Sequence, residues 1–222
     1  MTISYRLLDD PDDYASYFEV RAPKCVGDKY ANPGASASIV RSNPAHAENE
    51  YAEDREAVTA FFGLPTPYAQ AEGRPTPSLC FARVETVREQ PEFRPLWEKG
   101  QRCVVPIQYF AMTCDGGNRY GKWRRVYAVD SAPMGLAGLW KANRTSGSLK
   151  FTFSILTTVA ERHPLISRFY DHDFEKRMPV ILSPQKYDVW LSDAPDEELD
   201  FIYQCPPLPL FSGSSKCRNQ CL

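Results

Sequence analysis

The chain has 222 residues, of which 43% are hydrophobic and 13% aromatic, and this is enough apolar material for one well-buried domain. Its formal net charge of -2 excludes a uniformly basic surface, so any contact with nucleic acid has to come from a local cluster of Arg and Lys. No run reaches the roughly 18 apolar residues of a membrane span, and the acidic N-terminal segment is unlike a signal or transit peptide. We therefore expect a cytoplasmic protein without membrane contact.

The first third of the chain predicts short elements separated by polar loops. Aromatic residues recur at helical spacing over residues 11–20, which predicts a helix. Small and apolar residues alternate over residues 35–41 and predict a strand, and a polar loop that includes His46 follows. Residues 61–64 predict a second strand that prolines end, and residues 72–78 predict a loop rich in Gly and Pro.

The rest of the chain predicts one helix, a series of strands and a last helix. Apolar residues at positions i, i+3 and i+4 predict the first of these helices over residues 91–99. A turn signal at residues 115–118 predicts a hairpin. Ser183, as an N-cap before a proline, predicts the start of the last helix over residues 183–191. Aromatic and β-branched segments predict strands over residues 103–110, 123–129, 134–140, 151–157 and 180–182.

Together these elements predict a single α+β domain with a mainly antiparallel, barrel-like sheet flanked by helices. We place the domain at residues 1–204 and a C-terminal tail at residues 205–222. The sequence contains no internal repeat.

The cysteine pattern favours reduced thiols. Seven cysteines form an odd set without CxxC spacing, which is unlike a disulfide framework. Cys80 and Cys103 lie beside strand-like segments, and we expect both to be small core residues. The three histidines have no spacing that suits zinc. We therefore expect neither a metal nor another cofactor.

Several short blocks in a fixed order carry the strongest signal. They are FARVET at residues 81–86, FRPLW at 93–97, RCVVP at 102–106, AGLW at 137–140, TT at 157–158 and KRMPVIL at 176–182. In this order they resemble the SRAP family (SOS-response-associated peptidase), whose members bind single-stranded DNA and capture abasic sites through an N-terminal cysteine. The resemblance spans about residues 1–191 and implies an SRAP-like fold.

The resemblance also implies an active site, and three of its positions are substituted here. The family has an N-terminal cysteine exposed by removal of the initiator methionine, together with an asparagine and a glutamate. This chain has Thr2, Phe81 and Met112 at those positions. A threonine offers an amine and a hydroxyl but no thiol, phenylalanine cannot hydrogen-bond, and methionine cannot transfer a proton.

The fourth position of that site, a histidine in the family, has several candidates. Alignment places it at Tyr170 or Glu175, and His172 lies between them. A shifted His172 could reach the site, whereas a histidine in a loop could equally be solvated. We expect Thr2, Phe81, Met112 and the loop of residues 170–175 to converge on one cleft.

A DNA-contacting surface is implied as well. The family's DNA-contacting arginines fall on Arg83 and Arg177, and a further contact position falls on Thr157. Phe62 and Tyr68 replace the tryptophans that stack on bases in the family. Single-strand binding needs cations for phosphates and flat side chains for bases.

Each of these residues has a structural alternative. The two arginines could be ion-paired with Glu85 and Glu175, and Phe62 could be a core residue. The basic segment of residues 122–125 is a second candidate for DNA contact, or else a solvated edge strand.

The substitutions predict a degenerate SRAP-like protein that binds single-stranded or abasic DNA in the DNA damage (SOS) response. We expect neither efficient covalent cross-linking nor autopeptidase chemistry. Two alternatives stay open at this point. One is an active, divergent cross-linking enzyme or peptidase that uses Thr2 with His172, and the other is a non-catalytic protein-interaction module.

Overall fold

The fold is built mainly from strands. The computed structural model describes residues 3–23, 27–49, 51, 53–65, 77–114, 122–145, 148–169, 175–204 and 210–214. In chain order the strands are β1 (Ile3–Leu7), β2 (Tyr30–Ala31), β3 (Ser36–Ser42), β4 (Arg55–Phe62), β5 (Leu64–Pro65), β6 (Pro77–Leu79), β7 (Phe81–Arg83), β8 (Arg102–Cys114), β9 (Lys122–Ala128), β10 (Met134–Thr145), β11 (Ser148–Val159), β12 (Arg177–Pro179), β13 (Ile181–Leu182) and β14 (Leu210–Ser214). The α-helices are α1 (Pro11–Phe18), α2 (Arg94–Glu98) and α3 (Tyr187–Leu191), and 3-10 helices cover Pro44–Ala47, Ile166–Arg168, Pro184–Lys186 and Asp196–Tyr203. Within the described ranges no helix is long and apolar enough to cross a membrane.

Strands β3, β4, β11, β10 and β8 form a closed β-barrel, in this order around the ring. Antiparallel pairing joins β3 to β4, β11 to β10 and β10 to β8, whereas β4 and β11 run parallel. A bridge between Val40 of β3 and Val104 of β8 closes the ring. The prediction of a single α+β domain with a mainly antiparallel, barrel-like sheet is confirmed.

Strand β8 of the barrel wall is buried on both faces over residues 102–107, where alternate residues point to opposite sides. Along β8, Cys103 and Val105 belong to an interior cluster that also holds Ile39 and Phe153. Val104, which lies between them in sequence, belongs to a second cluster beneath the helices. This double burial explains why the strand reads as an unbroken apolar run rather than as an alternating pattern.

Aromatic contacts hold the helices on the outer face of the barrel. Phe18 of α1 stacks on Tyr187 of α3 with ring centroids 5.6 Å apart. Trp97 of α2 meets Trp190 of α3 edge to face at 6.0 Å. The fully buried Trp190 indole also donates a hydrogen bond to the backbone carbonyl of Cys103 at 2.9 Å. Helices from both halves of the chain are therefore anchored to the same barrel strand.

The two predicted core cysteines are buried, which confirms that prediction. Burial raises the pKa of the Cys80 thiol to about 11 and raises the pKa of the Cys103 thiol further above its usual value. Both side chains are therefore neutral at physiological pH and pack as small apolar groups.

Several predicted boundaries are wrong. The strand predicted at residues 61–64 is divided between the end of β4 and the start of β5, and β4 begins at Arg55 with polar residues that pair with β3. The sequence predicts no element where β1 lies. Ser183 makes no side-chain cap, and the last helix opens as a 3-10 turn. The hairpin turn at residues 115–118 lies outside the described residues.

The basic segment of residues 122–125 is not an edge strand, which corrects that prediction. Strand β9 contains this segment and pairs with β8 on one side and with β14 on the other. Strand β14 comes from residues that we assigned to the C-terminal tail, and it extends the sheet by one strand. The division at residue 204 stays a prediction.

A buried arginine lies inside the barrel wall, on the same side of β3 as Ala37 and Ile39. The guanidinium of Arg41 is 4.3 Å from the ring centroid of Trp140 and 4.5 Å from that of Phe151. It donates two hydrogen bonds to one carboxylate oxygen of Glu56, at 2.7 and 3.0 Å. The charge is thus neutralised by one carboxylate and contacts two aromatic rings that themselves meet edge to face.

We expect Arg41→Ala to lower the free energy of unfolding by about 2 to 3 kcal/mol, because it leaves a gap beside two rings and a carboxylate without its partner. Urea unfolding followed by tryptophan fluorescence measures this, with an unchanged slope of free energy against urea concentration. Arg144→Ala, at an exposed position of β10, is the matched control and should change the value by no more than about 0.5 kcal/mol. Equal effects of the two variants would contradict the stacking interpretation.

Candidate functional site

Strand β11 brings together three of the predicted DNA-contacting residues. On one side its last residues pair in parallel with β7, which places Thr157 opposite Arg83. On the other side they pair in antiparallel register with β12, which places Val159 opposite Arg177. Thr157 itself therefore lies between strands that carry the two arginines, although these strands are far apart in the chain.

Arg177 is the buried centre of this cluster, with a side chain that is only 7% exposed. Its guanidinium donates to the hydroxyl of Thr157 at 3.2 Å and to the backbone carbonyl of the same residue at 2.7 Å. It also donates to Glu85 at 2.7 Å and to Glu175 at 2.8 Å. Two carboxylates thus share one buried cation.

Arg83 is the exposed member of the cluster, with a side chain that is 55% exposed. One of its terminal nitrogens lies 2.9 Å from the Oε2 of Glu175, and the other oxygen of the same carboxylate, Oε1, accepts from Arg177. The ion pairs that the sequence allowed as a structural alternative are therefore present. The carboxylate of Glu175, a candidate for the family's histidine position, bridges both arginines.

Two of the positions that the family resemblance marks as catalytic, Phe81 and Met112, are apolar and lie in or against the core. Met112 is fully buried, and Ile3 of β1 lies opposite it in the sheet. Phe81 is half-buried and packs against the cluster to which Met112 belongs. Phe169, directly before the loop of residues 170–175, belongs to the same cluster. Residues adjacent to Thr2 and to that loop thus lie in one apolar cluster with Phe81 and Met112.

Some predicted site residues cannot be placed in this way. Thr2, Tyr68, Tyr170 and His172 lie outside the described residues.

Phe62 is a core residue, as the structural alternative had it. Its side chain is 1% exposed. Its ring is 5.2 Å from that of Phe153 and 5.6 Å from that of Phe81, with Tyr5 at 6.1 Å. A ring enclosed in this way offers no face for a nucleobase.

His163 organises the turn that follows β11, a role that the sequence did not reveal. Its side chain is buried, and Nδ1 accepts hydrogen bonds from the backbone N–H groups of Leu165 and Ile166, both at 3.2 Å. Burial lowers the pKa of the imidazole below its usual value. A neutral His163 therefore caps the start of the 3-10 helix Ile166–Arg168. The only signal in the sequence is a histidine followed by proline, which is weak.

The second basic candidate lies on β9. The guanidinium of Arg125 is 5.1 Å from the ring centroid of Tyr109 on β8, and the ring of Tyr109 is 4.9 Å from that of Tyr127. Tyr127 in turn stacks on Phe211 of β14 at 5.2 Å. These side chains are half-buried or exposed, so this surface offers Arg125 beside several rings.

The described part of the chain contains no group of three or more His, Cys, Asp or Glu residues that could hold a metal ion. Phe81 and Met112, to which the resemblance assigns the family's asparagine and glutamate positions, have side chains that provide neither a hydrogen bond nor a proton-transfer group. The described cluster can therefore interact with a charged ligand, and it would do so through its two arginines.

The pKa of His163 predicts a pH dependence of stability. Because the folded-state pKa is lowered, the unfolded chain binds the proton more readily, so this contribution is fully present above pH 6.5 and is lost as the pH falls below that value. His163→Asn keeps an acceptor oxygen but does not titrate, so we expect it to lose less stability than the parent between pH 7.5 and pH 5. Unfolding in urea at both pH values measures this. An equal loss in both proteins would contradict the capping role.

A sequence model of the family described as SOS response associated peptidase (SRAP) matches residues 1–208. Two similar proteins are named abasic site processing proteins. YedK of Escherichia coli is 26% identical over 115 residues, which cover 52% of this chain and 48% of that protein. YoqW of Bacillus subtilis is 31% identical over 143 residues, which cover 59% of this chain and 55% of that protein. The chain thus matches about half the length of these relatives.

Solved structures share the fold over nearly the whole chain. A crystal structure of a Bordetella bronchiseptica protein superposes with a TM-score of 0.81 at 27% identity, covering 97% of this chain and 100% of that one. A Bacteroides thetaiotaomicron protein gives a TM-score of 0.70 at 18% identity, covering 94% and 90%. The second similarity speaks to the fold alone.

Proposed function

Since the chain belongs to the SRAP family, we propose that it binds single-stranded DNA, including DNA that carries abasic sites, in the response to DNA damage. The observation that carries this proposal is the convergence of Arg83, Arg177 and Thr157 at the end of β11. Two guanidinium groups beside a hydroxyl form a group of donors suited to a phosphate backbone. The names of the relatives support abasic DNA as the substrate class.

We further propose that the protein is a degenerate member without lasting covalent chemistry. The family resemblance implies that a terminal cysteine closes a sulfur-containing ring on the aldehyde of an abasic site. Thr2 has only a hydroxyl for this purpose, and an oxygen-containing ring forms less readily and holds less firmly. The burial of Met112 and the packing of Phe81 against aromatic residues support this proposal, because both positions are integrated into the core.

Binding should be weak and salt-dependent. Only a few arginines are available to release counterions, so the affinity for single-stranded DNA should fall as salt rises. Arg83→Ala should weaken binding, and Arg83→Ala with Arg177→Ala should abolish it. Fluorescence anisotropy with a labelled oligo-dT at low salt measures both effects.

A charge-matched control uses Arg94→Ala with Arg144→Ala, which removes two exposed cations elsewhere on the surface. Because Arg177 is buried, a thermal melt has to show that each variant is folded, and the exposed Arg83 provides a test by itself. If folded Arg83 and Arg177 variants keep their affinity for DNA, the DNA-binding site lies elsewhere, and residues 122–125 are the next candidate. A parent protein that does not bind at low salt would contradict DNA binding and favour a protein-interaction module.

The degenerate chemistry predicts that no heat-stable adduct forms with abasic single-stranded DNA. The measurement is a denaturing gel after incubation, with and without borohydride to trap a transient imine. A heat-stable band without reductant would contradict the proposal. A band that needs borohydride, and that disappears when the α-amine is blocked, would support residual Schiff-base activity at Thr2, the alternative in which His172 takes part.

The converse experiment restores the chemistry. Thr2→Cys alone should give little adduct, because Phe81 and Met112 leave the site without polar partners. Thr2→Cys combined with Phe81→Asn and Met112→Glu should regain part of it, provided that the melt shows a folded protein. If the single substitution sufficed, only the nucleophile would have been lost.

A further inference from the structure

We propose that the carboxylate of Glu175 occupies the phosphate position of the Arg83 and Arg177 site and competes with DNA for it. The inference rests on the proposed function, and it assigns to one residue the control of that site. Glu175 then sets the affinity for single-stranded DNA without being part of the binding surface itself.

The geometry of the carboxylate is the first argument. Its Oε2 lies 2.9 Å from a terminal nitrogen of Arg83, and its Oε1 accepts from a terminal nitrogen of Arg177 at 2.8 Å. Two oxygens of one anion thus engage two guanidinium groups. A phosphate group presents two oxygens to paired arginines in the same manner. The carboxylate and a phosphate would therefore need the same N–H groups.

The charge balance is the second argument. Two arginines contribute two positive charges, and Glu175 and Glu85 contribute two negative charges at distances of 2.7 to 2.9 Å. The cluster is neutral in this state and holds few counterions. A neutral cluster gains little from counterion release when a phosphate approaches. Removal of one carboxylate would restore a net positive charge.

The difference in exposure decides which partner can be exchanged. Arg177 is 7% exposed and has further bonds to Thr157 and Glu85 that do not involve Glu175. The side chains of Glu175 and Arg83 are 41% and 55% exposed, so water competes for their ion pair. Glu175 is thus the partner that an incoming phosphate can displace, and Arg177 is the fixed part of the site.

Glu175→Gln tests the inference, because it removes the charge and keeps the size of the side chain. Fluorescence anisotropy with a labelled oligo-dT should show about fivefold to tenfold tighter binding at low salt. The slope of log K against log salt should become steeper by about 0.7, which corresponds to one added phosphate contact on a single strand. Glu197→Gln, an exposed residue of the 3-10 helix Asp196–Tyr203, changes the net charge equally and should alter the affinity by less than about twofold.

Two further variants test whether the tighter DNA binding comes from loss of the carboxylate and depends on Arg83. Glu175→Ala removes the remaining hydrogen-bonding group and should also bind more tightly than the parent. In Glu175→Gln with Arg83→Ala the gain should be lost, because one arm of the anion site is missing.

The outcomes separate this inference from the proposed function. If the parent binds through Arg83 but Glu175→Gln binds no more tightly, competition by Glu175 is refuted and DNA binding stands. A gain that survives the loss of Arg83, or that Glu197→Gln reproduces, would also refute it, since the effect would then be one of net charge. If the parent does not bind at low salt, the proposed function fails, and if no Glu175 variant binds either, competition by Glu175 fails with it.

Discussion

The pairing of one strand with four others is the constraint on which the candidate site depends. In the first part of its length β11 pairs with β10 and β4, which builds the barrel. In its last residues β11 pairs with β7 and β12, which carry Arg83 and Arg177. Because strand pairing fixes register, the barrel also fixes the positions of the two arginines on either side of Thr157. The site is therefore a consequence of how the barrel closes.

Phe81 and Met112 belong to the packing of the same barrel core. Phe81 begins β7 and contacts Phe62 and Tyr5, so an aromatic cluster fills the region beside the arginines. Met112 is buried in the same core. An asparagine or a glutamate at these positions would need hydrogen-bonding partners, because an unpaired polar group in a core is costly. The apolar side chains at these two positions therefore contribute to core packing.

The candidate site differs from an open basic surface because carboxylates balance the charges of its arginines. The arginines are neutralised by Glu85 and Glu175, in keeping with the slightly negative net charge of the chain. Arg41, inside the barrel wall, follows the same rule, since Glu56 balances its charge. Arg41 and Arg177 are thus two buried cations that are paired with carboxylates. A DNA phosphate would have to replace such a partner, which makes weak binding the natural expectation.

The sequence by itself determined the α+β class, the family, the burial of Cys80 and Cys103, and the identity of the candidate residues. These features depend on local patterns and on ordered motifs, which are readable without coordinates. Only the tertiary structure decided that Glu175 bridges both arginines, that Phe62 is enclosed and that β9 lies inside the sheet. It also showed strand β1 (Ile3–Leu7), which the sequence did not predict. Such facts depend on the register between strands far apart in the chain, and local sequence patterns do not encode that register.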